Sequence, residues 1–176
     1  MKSTGIVRRI DELGRIVIPK EIRKNLHIRE GESVEIFLDS DNIVLKKFSV
    51  IKNINDLAQN FVDSIYSVLK YNVIITDTNN VIATNSKIKK NLLNKNISDY
   101  LISLIDKREK FTEKHIKNFK ITNDFSLDCS YIVNPILSNG DVIGLLIVYS
   151  DEVFFDEDVL KFINLCSGFF ENYLNI

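Results

Sequence analysis

At 176 residues, with a hydrophobic fraction of 45%, a charged fraction of 27% and a formal net charge of −1, the chain has ordinary globular composition, which excludes disordered and fibrous classes. No run approaches the ~20 apolar residues that cross a bilayer, Met1 to Gly5 opens no apolar leader, and Cys129 and Cys166 form no CxxC pair, so a reducing cytoplasm and no membrane partner are expected. The charge is segregated: residues 1–29 carry eight bases against three acids, net +5, and the remaining 147 carry 15 bases against 21 acids, net −6, which directs the basic end toward a polyanion.

Ile6 to Ile10 reads as a short strand, and Asp11-Glu12-Leu13-Gly14 as a turn in which Gly14 takes a positive φ without steric cost. Arg15-Ile16-Val17-Ile18 is a second β-rich run, stopped by Pro19, which opens a helix stub from Lys20 to Leu26. Ile22 and Leu26, at i and i+4, face inward there, and Arg23 and Lys24 face away. After a turn at Arg29-Glu30-Gly31-Glu32, Val34 to Leu38 alternates, Ser40-Asp41-Asn42 turns, and Ile43 to Lys47 returns as a partner strand. Four short strands and one stub of helix bury too little apolar area to stand alone, with neither disulfide nor metal to help. Interleaving two copies fills the core and covers the edges, so dimerisation is a folding requirement.

The register changes near Ser49-Val50-Ile51. Asn53 to Leu69 carries Ile54, Leu57, Phe61, Ile65 and Val68 at helical spacing. Tyr71 to Asp77 and Val81 to Thr84 read as strands around a Thr78-Asn79-Asn80 turn. A lysine-rich stretch, Lys87 to Asn96, precedes a helix from Ile97 to Lys107, capped by Asn96 or Ser98. Lys114 to Asp128 is polar and weakly periodic, and no element is assigned to it. Tyr131 to Val133, Pro135 to Leu137 and Val142 to Tyr149 are strands, with Ser138 to Asp141 as a hairpin turn, and a last helix runs from about Asp156 to Tyr173. This order describes an antiparallel sheet covered by helices, an α+β sensor-like domain. In the last helix Val159, Phe162, Cys166, Phe169 and Tyr173 form a heptad-like seam, widened by Leu160, Ile163 and Phe170. That arc is wider than one covering face needs, and part of it is offered to another subunit.

Residues 1–48, and above all Asp11-Glu12-Leu13-Gly14-Arg15-Ile16-Val17-Ile18-Pro19, closely resemble the AbrB family of swapped-hairpin transition-state and sporulation transcription regulators. The whole chain resembles the branch of that family in which the hairpin module precedes a GAF-like domain. For residues 55–176 the likeness rests on the order of elements and on Asn134-Pro135-Ile136 with Gly140-Asp141-Val142-Ile143-Gly144-Leu145. The resemblance implies a swapped-hairpin dimeric barrel with a short helix over residues 1–50. It implies an α+β GAF-like regulatory or oligomerisation domain over 51–176, with linker and helix at about 49–69. It also implies that Arg8, Arg9, Arg15, Arg23 and Lys24 face DNA. The charge pattern agrees: the five cluster around one turn and one stub, and a dimer doubles them. Phosphate contacts would supply affinity, and one or two arginines could read guanine edges. A solvated basic face is the ordinary alternative from charge alone.

Other chemistry is poorly represented. His27 and His115 have no metal-ligand spacing, Cys129 with His115 sits in no recognisable catalytic context, and Gly140 with Gly144 lacks the cation of a phosphate loop. Asp124, Asp128 and Asp151 are scattered. No cofactor or metal and no enzymatic activity are expected, and the apolar strands of the second domain read as core before ligand box. The expectation is a cytoplasmic, nucleoid-associated regulator, activator and repressor of late, forespore-type sporulation genes. It would bind double-stranded promoter DNA as a homodimer, pair into a homotetramer through C-terminal helices, and have a place for an unidentified small-molecule effector. The rival reading is an antitoxin-like DNA-binding module, disfavoured because ~120 patterned residues follow the hairpin instead of a short disordered tail.

Overall fold

Residues 5–19 do not form the two strands that their composition predicts. In the computed structural model, which describes residues 5–48, 55–85, 87–152 and 155–174, residues 5–19 contain a turn and no ladder. The physical reason is the absence of a partner within one copy: each β-rich run has apolar side chains and ladder groups, and nothing in the same chain pairs with them. The first helix, α1 (Lys20–Asn25), starts at Pro19 and buries none of its residues. Leu26 is 49% exposed, so the expected inward stripe is also incomplete in one copy. The helix ends in a Schellman arrangement: His27 takes a φ of 49°, its N–H donates to Lys24 O at 3.2 Å, and Ile28 N donates to Arg23 O at 2.8 Å.

The hairpin β1 (Val34–Asp39) and β2 (Asn42–Lys47) forms as expected, with Glu35 opposite Lys46 and Asp39 opposite Asn42. Lys47 ties it to the preceding loop, its Nζ donating to His27 O at 2.7 Å and meeting Glu32 at 3.0 Å. One face of this two-stranded sheet is uncovered: Ile36, Leu38 and Ile43, which share it, are largely exposed. Contacts divide the chain into units of 1–48 and 49–176. Thirteen of the nineteen exposed large hydrophobics among the described residues lie in the first unit, and none of the core residues does, so this unit has no core of its own in one copy.

The second unit is complete. Its elements are α2 (Asn55–Leu69), β3 (Asn72–Asp77), β4 (Val81–Thr84), α3 (Lys89–Leu92), α4 (Asp99–Lys107), β5 (Phe111–Thr122), β6 (Phe125–Ser138), β7 (Asp141–Ser150) and α5 (Glu157–Leu174). The strands form one antiparallel sheet in the order β4-β3-β7-β6-β5. Because side chains alternate across a strand, the apolar runs of β3, β6 and β7 feed both faces. Val73, Ile75, Ile132, Leu146 and Val148 meet Val62 and Ile65 of α2 and Ile163 and Phe170 of α5. Ile74, Tyr131, Val133, Leu145 and Ile147 meet Leu92 of α3 and Leu101, Leu104 and Ile105 of α4. Ser98 caps α4, its Oγ accepting from Leu101 N at 3.3 Å.

Several elements depart from the reading above. The stretch left unassigned, 114–128, is most of β5 and the start of β6. β6 also runs unbroken through Pro135, which pairs with Leu145 on β7; β5 begins opposite Val133, so no ladder on the other side asks for the missing N–H. Asn53 and Ile54, and the change of register at 49–51, lie outside the described residues, and Val68 of α2 is 64% exposed. Both sheet edges are guarded. Along β4, Val81 N donates to Lys95 O at 3.0 Å and Val81 O accepts from Asn94 N at 2.9 Å. β5 presents Lys114, Lys117 and Lys120 and breaks register between Glu113 and Lys117.

Candidate nucleic-acid interface

One acidic side chain orders the turn within the basic end. In the turn after residue 10, Asp11 N donates to Arg15 O at 3.1 Å and Gly14 N to Asp11 O at 3.0 Å, closing a loop that Gly14 enters at φ 74°. The Asp11 carboxylate then gathers three donors. Its Oδ1 accepts from Leu13 N at 3.0 Å and Arg15 N at 2.8 Å, and its Oδ2 accepts from Arg15 Nε at 2.7 Å. These contacts, the Arg15 backbone N–H first and its guanidinium next, hold the carboxyl below its ordinary value. The turn itself is legible in Asp11-Glu12-Leu13-Gly14, whereas the grip of its first carboxylate on Arg15 is not.

Arg8, Arg9, Arg15, Arg23 and Lys24 are all exposed. Arg8 and Arg9 stand on the extended segment before the turn, Arg15 closes it, and Arg23 and Lys24 occupy the last turn of α1. Arg8 Nη1 donates to the neighbouring Val7 O at 3.0 Å.

In the second unit the cysteines and His115 are kept apart. Cys129 lies in the core, and burial, followed by the charges of Asp128 and Asp151, pushes its thiol up to about 12. Burial likewise pushes Cys166 up to about 11. Thiols raised in this way are inert, since the thiolate is the nucleophile. His115 is exposed on β5, its Nδ1 3.4 Å from Glu113. Among the described residues no group of three or more His, Cys, Asp or Glu side chains is placed to hold a metal. The space between α4 and the sheet is filled by aromatic rings, Phe119 stacked on Tyr131 at 3.9 Å and Phe111 on Tyr131 at 5.7 Å. An open polar groove of about 740 Å³ lies outside it, lined by Lys90, Lys95, Asn94, Asn96, Asn123 and others.

On α5 the seam splits. Cys166 is buried with Ile163 and Phe170, whereas Phe169 is 53% and Tyr173 46% exposed. Phe61 of α2 stacks on Phe169 at 5.6 Å, and Phe169 on Tyr173 at 6.4 Å, leaving an aromatic strip on the surface.

Comparison with known proteins agrees with this division. Residues 53–172 match the family described as stage V sporulation protein T C-terminal, transcription factor. Stage V sporulation protein T of Bacillus subtilis (strain 168) is 43% identical over 171 residues, 96% of each chain. The chain belongs to the stage V sporulation protein T family. It is a DNA-binding transcription regulator of sporulation. In the same chain, residues 7–52 match the family described as antidote-toxin recognition MazE, bacterial antitoxin. The transition state regulatory protein AbrB of the same organism is 58% identical over 48 residues, 27% of this chain and 50% of that one. The swapped-hairpin fold class of the first unit stands on these matches. The GAF domain of the Acinetobacter phosphoenolpyruvate-protein phosphotransferase superposes with a TM-score of 0.54 at 10% identity, covering 73% of this chain and 84% of that one, which shows a GAF fold for the second unit. An antitoxin has less support, because the sporulation family covers the residues where a toxin-binding tail would lie. No helix among the described residues is long and apolar enough to cross a membrane.

Proposed function

We propose that two copies interleave their first ~50 residues into one barrel and grip double-stranded promoter DNA through Arg8, Arg9, Arg15, Arg23 and Lys24 of each. One observation carries this reading: the segment holding the arginines has strand-forming sequence but no ladder, and its apolar side chains stand in solvent. A second copy supplies both the missing ladder and the missing core, and brings the two basic faces together. Residues 51–176 act as the regulatory and oligomerisation domain. Its exposed Phe169 and Tyr173, backed by the half-buried Phe61, pair dimers into a tetramer through α2 and α5. The open groove beside Lys90 and Lys95 is where a small-molecule effector would meet it. The protein works in the cytoplasm, at the nucleoid, by binding alone and without a cofactor, as activator at some late, forespore-type promoters and repressor at others.

The experiment is a promoter-binding titration across salt concentrations. Each phosphate neutralised adds about −0.9 to the slope of log affinity against log salt, so the wild type should show a steep slope. Arg15→Ala and Arg23→Ala should each weaken binding about 5- to 100-fold with far-UV spectrum and oligomer mass unchanged. Wild-type DNA retention by both variants refutes the assignment of this face.

A further inference from the structure

We propose that Asp11 is a positioning and specificity-determining residue, which holds the Arg15 guanidinium by its Nε so that the two terminal nitrogens are presented to DNA as a fixed fork. The inference rests on the reading of Arg15 as a DNA contact. Three features of the turn carry it. The carboxylate is itself fixed, with Oδ1 pinned by Leu13 N at 3.0 Å and Arg15 N at 2.8 Å, so Oδ2 is a rigid anchor. That anchor takes Arg15 at Nε, at 2.7 Å, and no other partner of the guanidinium occurs among the described residues. Nη1 and Nη2 thus remain, the pair whose spacing matches the two acceptors of a guanine edge or of a phosphate. Lastly, the pair is exposed, 72% for the Arg15 side chain and 42% for Asp11, so the fork is open to a ligand.

Two consequences pull in the same direction. An arginine already held in its binding geometry loses less rotamer freedom on meeting its target. A carboxylate beside it cancels its long-range attraction for any phosphate, leaving only the short-range, directional bonds. Specific DNA therefore gains relative to arbitrary DNA. The contribution of Asp11 is discrimination, and it is made through Arg15.

The test uses the full-length protein and two duplexes of equal length and composition: the tightest one the wild type selects from a random-sequence pool, and a scrambled one. Asp11→Asn keeps an oxygen for the two backbone N–H groups and removes the charge and the anchor at Nε. The ratio of specific to scrambled affinity should fall about tenfold, the scale of loosening one bidentate contact, with scrambled-DNA affinity raised and its salt slope steeper. A variant that was only partly folded would lose both affinities together and leave the ratio unmoved. Arg15→Lys, which disturbs no backbone bond of the turn, should lower the ratio as well while keeping scrambled-DNA affinity. In an Arg15→Ala background, Asp11→Asn should change the ratio no further. An unchanged ratio in Asp11→Asn or in Arg15→Lys, while Arg15→Ala has lost affinity, overturns the inference and leaves Arg15 as a contact. An equal fall in the Arg15→Ala background overturns it too, since Asp11 would then not act through Arg15. Undiminished binding by Arg15→Ala overturns the reading beneath it.

Discussion

Phe169→Glu tests whether the aromatic strip on α5 joins dimers. A phenylalanine side chain carries about 200 Å², and Phe169 is 53% exposed in one copy, so roughly 100 Å² of ring remains to be covered. At about 25 cal/mol per Å² that is worth about 2.5 kcal/mol for each ring, and about 5 kcal/mol where two rings meet across a dimer–dimer contact. Glutamate forfeits this and adds the cost of burying a charge, so the dissociation constant for tetramer to dimers should rise more than about 10³-fold. The dimers themselves should fold normally, because Ile163, Cys166 and Phe170, not Phe169, hold α5 to the sheet. Light scattering at micromolar concentration reads the result directly: tetramer mass for the wild type and dimer mass for the variant. Two DNA modules on one scaffold gain effective concentration, so promoter affinity should drop about 10²-fold although no DNA-facing residue has changed. A wild type that is already dimeric, or a variant that remains tetrameric, refutes the reasoning and returns these helices to covering their own sheet.

A fragment of residues 1–48 should be folded only as a dimer: a tenfold rise in concentration stabilises it by about 1.4 kcal/mol, lifting the thermal midpoint roughly 5–11 °C. A folded monomer in sedimentation equilibrium contradicts interleaving. Phe170→Ala, which empties a buried site where the ring lies edge-on to Phe61 at 4.5 Å, should cost about 3–5 kcal/mol in calorimetry of the C-terminal transition. Cys129 is raised from 9.0 to about 12 in the fold, so the folded chain holds its proton longer than the unfolded one. Its contribution is therefore present below pH 9 and lost as pH rises toward 12. Cys129→Ala should flatten that alkaline decline in chemical denaturation, and an identical decline in the variant would count against it.

Most of the second unit was legible in the sequence because its strands and helices satisfy themselves within one chain. The runs Val73 to Ile75 and Val142 to Tyr149 announce strands, and Asn96 or Ser98 announces a helix, of which Ser98 is the cap. β5 stayed hidden for a physical reason: as an edge strand it turns Lys114, His115, Lys117 and Lys120 to solvent, and the bulge after Glu113 breaks the period that pattern reading depends on. Pro135 was misleading for the opposite cause, since a residue that normally stops a strand sits here where no second ladder exists. In the first unit the hairpin of β1 and β2 forms as read, whereas the strands expected at Ile6 to Ile10 and Arg15 to Ile18 are absent from one copy, since nothing in the same chain pairs with them. The five basic residues proposed to face DNA are drawn from charge and motif. The role of Asp11 is not legible there, since a carboxylate that caps a turn and one that merely offsets a patch look alike in a charge count.

The guarded edges of the C-terminal sheet bear on how the protein is made. A newly synthesised chain carries residues 5–18 as unpaired, strand-ready sequence, and it must wait for another copy to arrive. During that wait any bare sheet edge in the neighbourhood competes for it. The segment at Asn94 and Lys95 already occupies the β4 side, and the lysines and broken register of β5 repel the other. Waiting strands are thereby left one acceptable destination, their counterparts in a sister chain. Replacing Lys114, Lys117 and Lys120 by threonine would open a second destination, and the cost would appear as aggregate formed during refolding at high concentration, with the assembled protein itself little changed.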